Sequence, residues 1–573
     1  MSDLLNSASL VMIPSGYKED TVFSAIPTDG SGDLSFTRAS NGTRVNSAGL
    51  VEVCPWNFVE QSSNLGSWSN AGVTITTGIT DAYGTTNAIT MSNISSGSNT
   101  DYIVKYSNAM ALPTGTQINY SVYLKGSGTI GVVIERSISG DYFYEQQGVT
   151  LSSTWTRYDF AYTIGVGVNA NGISFYVTNL TGTTATSVDI CFPQVNYGST
   201  AKPYFPTTDR LNVPRLTYQN GGGGCPSLLL EKQSTNLLTY SEQFDNAGWN
   251  KIQISATANN TTSPDGTQNA DLITTTATGV CYTYELIAGT NGAYSASVYA
   301  KNGNNNYLAL NIQNSLNNWV TSVFDLSDGS LGEYAQGSGG GIVYVNHTIT
   351  PVGNGWYRCV LNYTTNQNSY YCPMFAPLKT GNSFTSAYGE AQSNANNKTI
   401  YFWGAQLEAS SYPTSYIPTT SSSATRVADA CFKTGISSLI GGGVGTWFMD
   451  FEMVQGAGSG NPFAFDLSDG TVSNRLFLYW GESLQTWNWG GVDTAITLPS
   501  TLRKKVAIKY SSGTAKLFCN GSSISTLSIN SAFSRLDIGQ RFSNTFPMDG
   551  KINEAFFLTT SLTDAECQAL TTI

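Results

Sequence analysis

Histidine is almost absent from this chain: His347 is the only one in 573 residues. That weighs against imidazole-based acid–base or nucleophilic chemistry, which needs a group titrating near neutral pH beside the reacting atoms. Charge is scarce as well. Asp, Glu, Lys and Arg make up 11% of residues, against about a quarter in ordinary globular domains. The 27 basic and 38 acidic residues leave a net charge of −11, with no basic run. No nucleic-acid partner is expected, since phosphate neutralisation needs clustered Lys and Arg. No apolar stretch approaches the roughly 20 residues of a spanning helix, so no membrane insertion is expected. The opening MSDLLNSASLVMIPSGYKED has neither a basic region nor a sustained apolar core, and no secretory leader is expected. The nine cysteines lie far apart without a CxxC pair, the usage of free thiols in a reducing compartment. His347 has no cysteine at ligand spacing, so a zinc site is not expected.

What the chain does have is a duplication. Cys54-Pro and Cys225-Pro each lead into an apolar run, with Glu60 and Glu231 six residues after the cysteine. A Gln-Ser-x-Asn-Leu follows, ending at Leu65 and Leu237, and then an Asn-Ala-Gly at 70–72 and 246–248. Downstream, GTTNAIT (84–90) answers GTQNADLIT (266–274), and SVYLK (121–125) answers SVYAK (297–301). Trp155-Thr-Arg157 answers Trp356-Tyr-Arg358, and Gln194 and Gln406 each precede a Tyr-x-Pro-Thr-Thr by ten residues. Repetition at this level implies two copies of one module. The organisation it suggests is an N-terminal segment 1–53, a first module 54–208, a connector 209–224, a second module 225–420, a connector 421–440 and a distinct block 441–573. The second module carries extra length between Lys301 and Trp356. The connectors echo each other around Arg44, Arg215 and Arg426, and extended segments on module edges are expected there.

Within the modules apolar residues recur at every second position, as in INYSVYLKG, ISFYVTNL, YLALNIQ and WYRCVLNYTT. That is the period of half-buried strands, here separated by Gly/Asn/Ser clusters. Low charge with 12% aromatics is not a disordered composition. The fold class expected is all-β, with tandem β-sandwich or jelly-roll modules. The last block adds strands at GTWFMDFEM, FAFDLSDG, RLFLYWG and RLDIGQRF, and a hairpin 505–521 turning at Ser511–Gly513. It closes on a strand and a short helix that Thr563 caps with Glu566 as its partner.

This block, with Asn520-Gly521, Leu536 to Gly539, Asp549 to Ile552 and Ser561 to Glu566, resembles concanavalin-type, laminin-G-like lectin sandwiches. The modules, with their SVY-K, W-x-R and Gln-to-Pro-Thr-Thr strands, look like jelly-roll carbohydrate-binding modules. The string SLLLExxxTNLLTYSEQFDNAGW resembles bacteriophage fibre and appendage proteins. MIPSGYKEDTVFSAIPTDGSGDLSFTRASNGTRVNSAGLVE looks like the start of such proteins in phages of gut Bacteroidetes. The resemblance implies a head or tail fibre or decoration protein on the virion surface that attaches to host glycans. It also implies anchoring to other virion proteins through 1–53 and assembly as a homo-oligomer, dimer or trimer.

Sugar binding asks for flat aromatic faces beside Asn, Gln, Asp or Arg. Trp480, Trp487 and Trp489 stand in LYWGESLQTWNWGG with Gln485 and Asn488 between them. Trp487 and Trp489 alternate and so share one side of a strand. On a solvent side they form a sugar platform, and on a core side ordinary packing. Trp319, flanked by asparagines, is a further sugar-binding candidate. Trp155, Trp249 and Trp356 sit on repeat landmarks and are expected in cores, and Cys54 and Cys225 are given a packing role in each module. Arg44, Arg215 and Arg426 are read as pairing with carboxylates of their own modules, such as Glu60 or Glu231, in preference to docking against a neighbouring subunit. As exposed pairs they contribute on the order of 0–1 kcal/mol. Asp325, Asp328, Asp466 and Asp469 in two FDLSDG strings are read as turns. A structural calcium at such a loop is the one metal the carboxylates would suit, and no cofactor is expected. No carboxylate pair stands out for glycoside hydrolysis, so no enzyme is expected. The alternatives are a capsule depolymerase and a bacterial surface adhesin.

Overall fold

The computed structural model describes residues 2–107, 116–138, 141–164, 173–220, 222–314, 318–378, 392–393, 396–441, 443–454, 461–481, 483, 485–490, 493–529 and 533–573. Strands dominate it, in several multi-stranded antiparallel sheets. The all-β, tandem-sandwich class read from the alternation is the fold observed.

One compact unit comprises Pro55–Leu211 with Asn259–Asn269. The first module in it is a sandwich of two five-stranded sheets. One sheet runs in the order Asp141–Thr150, Thr129–Ile138, Ile173–Thr178, Tyr102–Ser107, Ser69–Ala71. The other runs Thr156–Thr163, Gln117–Gly126, Ser187–Tyr197, Ala88–Ser92, Thr74–Ile79. Because side chains alternate across a strand, Ile103, Val132, Ile134, Phe175 and Val177 of the first sheet meet Ile118, Tyr120, Val122, Leu124 and Ile190 of the second in one core.

The other unit comprises Met1–Cys54, Asn212–Ala258 and Ala270–Ile573. Its second module repeats the first strand for strand. Tyr282–Tyr284, Ser369–Leu378, Tyr307–Asn314 and Trp319–Asp325 take the places of Tyr102–Ser107, Ile173–Thr178, Thr129–Ile138 and Asp141–Thr150. The extra length foreseen between Lys301 and Trp356 supplies one added edge strand to each sheet, Ser330–Gln336 and Ile342–Gly353.

The terminal sandwich is where the expected domain boundaries fail. It consists of an eight-stranded and a nine-stranded sheet, and residues 441–573 make only part of them. Leu10–Met12 pairs with Ala555–Phe557, and Leu34–Thr37 pairs with Ala430–Phe432. Ser227–Leu230 lies between Arg215–Thr217 and the strand Gly550–Leu558. Leu10, Met12, Leu34, Phe36, Leu216, Leu228 and Leu230 join Trp447, Phe465 and Ile508 in one hydrophobic core. Leu10–Met12 and Leu34–Thr37 of the N-terminal segment, and Arg215–Thr217 and Ala430–Thr434 of the connectors, are therefore strands of the terminal sandwich. The other connector strands lie on the second module as expected: Ala424–Arg426 pairs with Ser234–Asn236, and the hairpin of Gly42–Val45 and Val51–Cys54 packs Val51 on that module's rings. These short strands bury alternate apolar residues against partners remote in the chain, a drive no local window carries.

The connector arginines form a buried ion network. Arg215 binds Glu231 at 2.7 Å and also Asp429, Arg38 binds Asp429 at 2.9 Å, and Arg426 binds Glu231 at 3.2 Å. Burial pushes the Glu231 carboxyl up, but Arg426 and Arg215 outweigh it and bring the group down to about 2. Arg44 pairs with Glu52 of its own hairpin at 3.0 Å rather than with Glu60. The expectation of weak exposed pairs is corrected: these side chains are buried, so removing one partner strands a desolvated charge and costs about 3–5 kcal/mol.

Local expectations fared well where they concerned turns and caps. Thr563 and Glu566 form a full capping box on Asp564–Thr571. The hairpin turns on Ser512 (φ 49°) and Gly513 (φ 75°), the left-handed pair of a two-residue hairpin loop. Asp325 Oδ1 accepts from the Ser327 amide, Asp328 Oδ1 from Ser330 and Asp469 Oδ1 from Thr471. Asp466 instead is buried against Arg475 at 2.7 Å. Cys54 is buried, while Cys225 is exposed, so equivalent repeat positions do not share a packing role.

Candidate functional site

The tryptophans proposed as a platform are core residues. Trp487 and Trp489 do share a face, and it is the inner one: they are 2% and 0% exposed. Trp487 lies against Phe451 and Trp480 at centroid distances of 6.3 and 5.8 Å, with the Lys504 ammonium 5.1 Å over its ring. Trp480 is partly buried on the same core. Asn488 is buried and donates to the Thr486 carbonyl at 3.2 Å, and Gln485 is an exposed turn residue. Rings covered in this way offer no face to a sugar, and the platform reading is corrected for that reason. Trp319 lies on the outer side of its sheet but is 6% exposed.

Another surface has the required character. On the outer side of the first module's sheet, antiparallel register aligns Tyr106, Ser174, Glu135 and Tyr144 in one row across four strands. The next row is Val104, Tyr176, Val133 and Gln146, and the third begins with Tyr102 and Thr178. Tyr106 and Tyr144 are 55% and 52% exposed. They stand three inter-strand spacings apart, about 14 Å. Ser174 and Glu135 stand between them, and in the next row the buried Val104 and Val133 flank Tyr176.

The polar groups of this face are ordered. The Tyr176 hydroxyl donates to Glu135 Oε2 and also meets Tyr106, while its ring packs edge-on to Tyr102 with centroids 5.6 Å apart. Burial first, and then the Glu135 carboxylate, push the Tyr176 phenol far above its ordinary range, so it stays a donor at any physiological pH. A carboxylate offers about four acceptor sites, and Tyr176 occupies one on Glu135. Exposed rings on either side of an ordered carboxylate, next to a row of buried valines, suit a ligand with apolar C–H patches ringed by hydroxyls. Tyrosine supplies such amphipathic area at low entropic cost.

Sequence reasoning missed this face. The available signal was Tyr102-x-x-x-Tyr106 with Tyr176, same-side positions on strands that the repeat makes neighbours.

A cleft of about 190 Å³ in the other unit is lined by Glu231, Tyr412, Glu452, Leu502, Asp549 and Lys551, below the roughly 300–1,000 Å³ of small-molecule sites. Burial raises the Asp549 carboxyl to about 6, and it accepts from the Lys232 amide and the Tyr412 hydroxyl. Glu231 there is saturated by Arg215, Arg426 and Ser415, the environment of a structural anion. Among the described residues no group of three His, Cys, Asp or Glu side chains could hold a metal ion.

No protein-family model matches the chain. No curated protein matches it either. Among solved structures, the CBM40 of a Ruminococcus gnavus IT-sialidase bound to alpha2,3 sialyllactose is 19% identical, over 23% of this chain and 83% of that one, with a TM-score of 0.19. The tandem CBM22-1-CBM22-2 of Paenibacillus barcinonensis Xyn10C is 11% identical, over 62% and 97%, with a TM-score of 0.20. The enzymatically active domain of bacteriophage CBA120 tailspike protein 4 is 16% identical, over 25% and 22%, with a TM-score of 0.20. At such TM-scores these likenesses carry no argument about function.

Proposed function

We propose that this protein is a non-enzymatic appendage of a phage particle, a head or tail fibre or decoration protein, whose first module holds host-surface glycans on its tyrosine face. The observation that carries the glycan reading is the open pair of rows built on Tyr106, Tyr144, Tyr176 and Glu135, with Tyr106 and Tyr144 more than half exposed. The virion reading rests on the resemblance of 225–249 and of the N-terminal stretch to phage appendage proteins. Weak sugar contacts suit such a part, because many copies on one particle raise the overall avidity well above that of a single site. Its docking to other virion proteins through residues 1–53 uses side chains rather than free strand edges, since Leu10–Met12 and Leu34–Thr37 are already paired.

Negative-stain imaging of the phage that encodes the chain, with antibody against the first module, tests the placement. Label on head or tail projections supports it. Bare particles, with the protein free or on the bacterial surface, contradict it.

A further inference from the structure

The two modules share their strands but not their edges. In the second module Trp356–Thr365 runs inside its sheet, between Gly292–Asn302 and the added strand Ile342–Gly353. In the first, Thr156–Thr163 takes the same place beside Gln117–Gly126: Tyr123 faces Arg157 there, as Tyr299 faces Arg358. Among the described residues, no strand lies on its other side.

The difference reaches the core. Cys359, Leu361 and Tyr363 are fully covered in the second module, where Ile342, Tyr344 and Ile349 of the added strand pack on the same core. Their equivalents Tyr158, Phe160 and Tyr162 pack on the first module's core and stay only partly buried. It reaches the main chain too. The Ile164 amide donates to the Thr116 carbonyl, and hydrogen-bonded positions alternate along an antiparallel pair. The N–H and C=O groups of Arg157, Asp159, Ala161 and Thr163 therefore point out of the sheet's edge.

Proteins blunt such edges with proline, lysine, a bulge or an inward-pointing charge. TRYDFAYT has no proline, lysine or glycine, and its register with Gln117–Gly126 is unbroken. Its inward side chains are three rings. An edge this long and regular is a template for another strand.

We infer that Thr156–Thr163 pairs antiparallel with the same strand of a second copy of this chain, joining two five-stranded sheets into one across a two-fold axis. The residues of the edge argue for a copy of itself. Centred on Phe160, the pairing uses all four outward positions: Arg157 of each copy opposes Thr163 of the other, and Asp159 opposes Ala161. The two Phe160 rings meet and cover each other, a favourable cross-strand pair. Centring on Asp159 sets like charges opposite, which is unfavourable, and centring on Ala161 leaves Arg157 outside the pair. Two-fold pairing fills both edges at once and closes at two copies. The inference stands apart from sugar binding, since Tyr106 and Tyr144 lie on the module's other sheet.

The test is sedimentation equilibrium of the full-length chain beside Ala161→Pro. Proline at 161 removes an N–H that its own sheet does not use, and edge strands accept it. The wild type is expected to dimerise at micromolar concentration, and Ala161→Pro to raise the dissociation constant at least tenfold. Cys225 is exposed, so the second variant, Asp159→Cys/Ala161→Cys, is made in a Cys225→Ser background. Oxidation should link it into a dimer through positions 159 and 161, because paired strand positions stand about 5.5 Å apart, within disulfide reach. Wild-type chain that stays monomeric, a dimer indifferent to Ala161→Pro, or a double-cysteine variant that stays unlinked overturns the inference. So does a trimer, which two-fold pairing cannot build.

Discussion

The two modules are one design used twice, with opposite treatment of their surfaces. The first leaves its outer sheet face open, with Tyr106 and Tyr144 projecting next to a row of buried valines. In the second the corresponding rows hold Asn311, Thr321, Val323 and Trp319, all buried, with Tyr282 and Tyr307 partly buried beside them. The second copy is tied by buried ion pairs into the terminal sandwich. A module's fold therefore does not say what the module does; the coverage of its faces does.

The division is broken most severely at the ion network. Arg215→Ala should destabilise the unit holding the second module and terminal sandwich by about 3–5 kcal/mol, since it strands Glu231 and Asp429. Calorimetry should show that transition falling while the first module's stays in place. Trp319→Ala should cost the second module about 3–5 kcal/mol as a buried ring is lost and leave glycan binding intact. A drop in binding without a drop in stability would reverse the roles assigned to the two modules.

Acidity sharpens the same contrast. The folded-state value of Asp549 is about 6 against an ordinary 3.8, so the native state holds its proton more tightly than the unfolded chain. The stability this contributes is full below about pH 4 and lost as pH rises toward 6, about 3 kcal/mol at 1.36 kcal/mol per pKa unit. Glu231, about 2 against 4.5, acts in the opposite sense and loses its contribution as pH falls from about 4.5 toward 2. Thermal midpoints across pH 4 to 6 should fall in the wild type, and Asp549→Asn should flatten that slope. A slope unchanged by the substitution would refute the assignment. The smallest expected effect is Thr563→Ala, about 1 kcal/mol from the lost cap, read by urea denaturation of the terminal sandwich and absent from the first module.

How much of this could be read beforehand depends on where the information sits along the chain. The duplication and the strand alternation are local or self-matching signals, and both sandwiches followed from them. The strands Leu10–Met12 and Leu34–Thr37 carry three and four residues and find partners hundreds of positions away, so nothing nearby marks them. Alternation told that Trp487 and Trp489 share a side without telling which side was core, because paired rings opposite Thr486, Asn488 and Gly490 suit a core or an exposed sugar face alike. The tyrosine face was hidden by the same ambiguity. In YIVKYS the phase Tyr102, Val104 and Tyr106 is more apolar than Ile103, Lys105 and Ser107, so these tyrosines pass for core until register sets Ile103 inward beside Phe175.

The most direct measurement is a glycan-array profile of the full-length chain beside two variants, Tyr106→Ala/Tyr144→Ala and Trp319→Ala. Any glycan held by the wild type should lose at least tenfold in affinity with the tyrosine pair removed, about 1.4 kcal/mol, and keep its affinity in Trp319→Ala. Wild-type protein that holds no glycan, or a tyrosine variant that binds as well as wild type, would contradict the account.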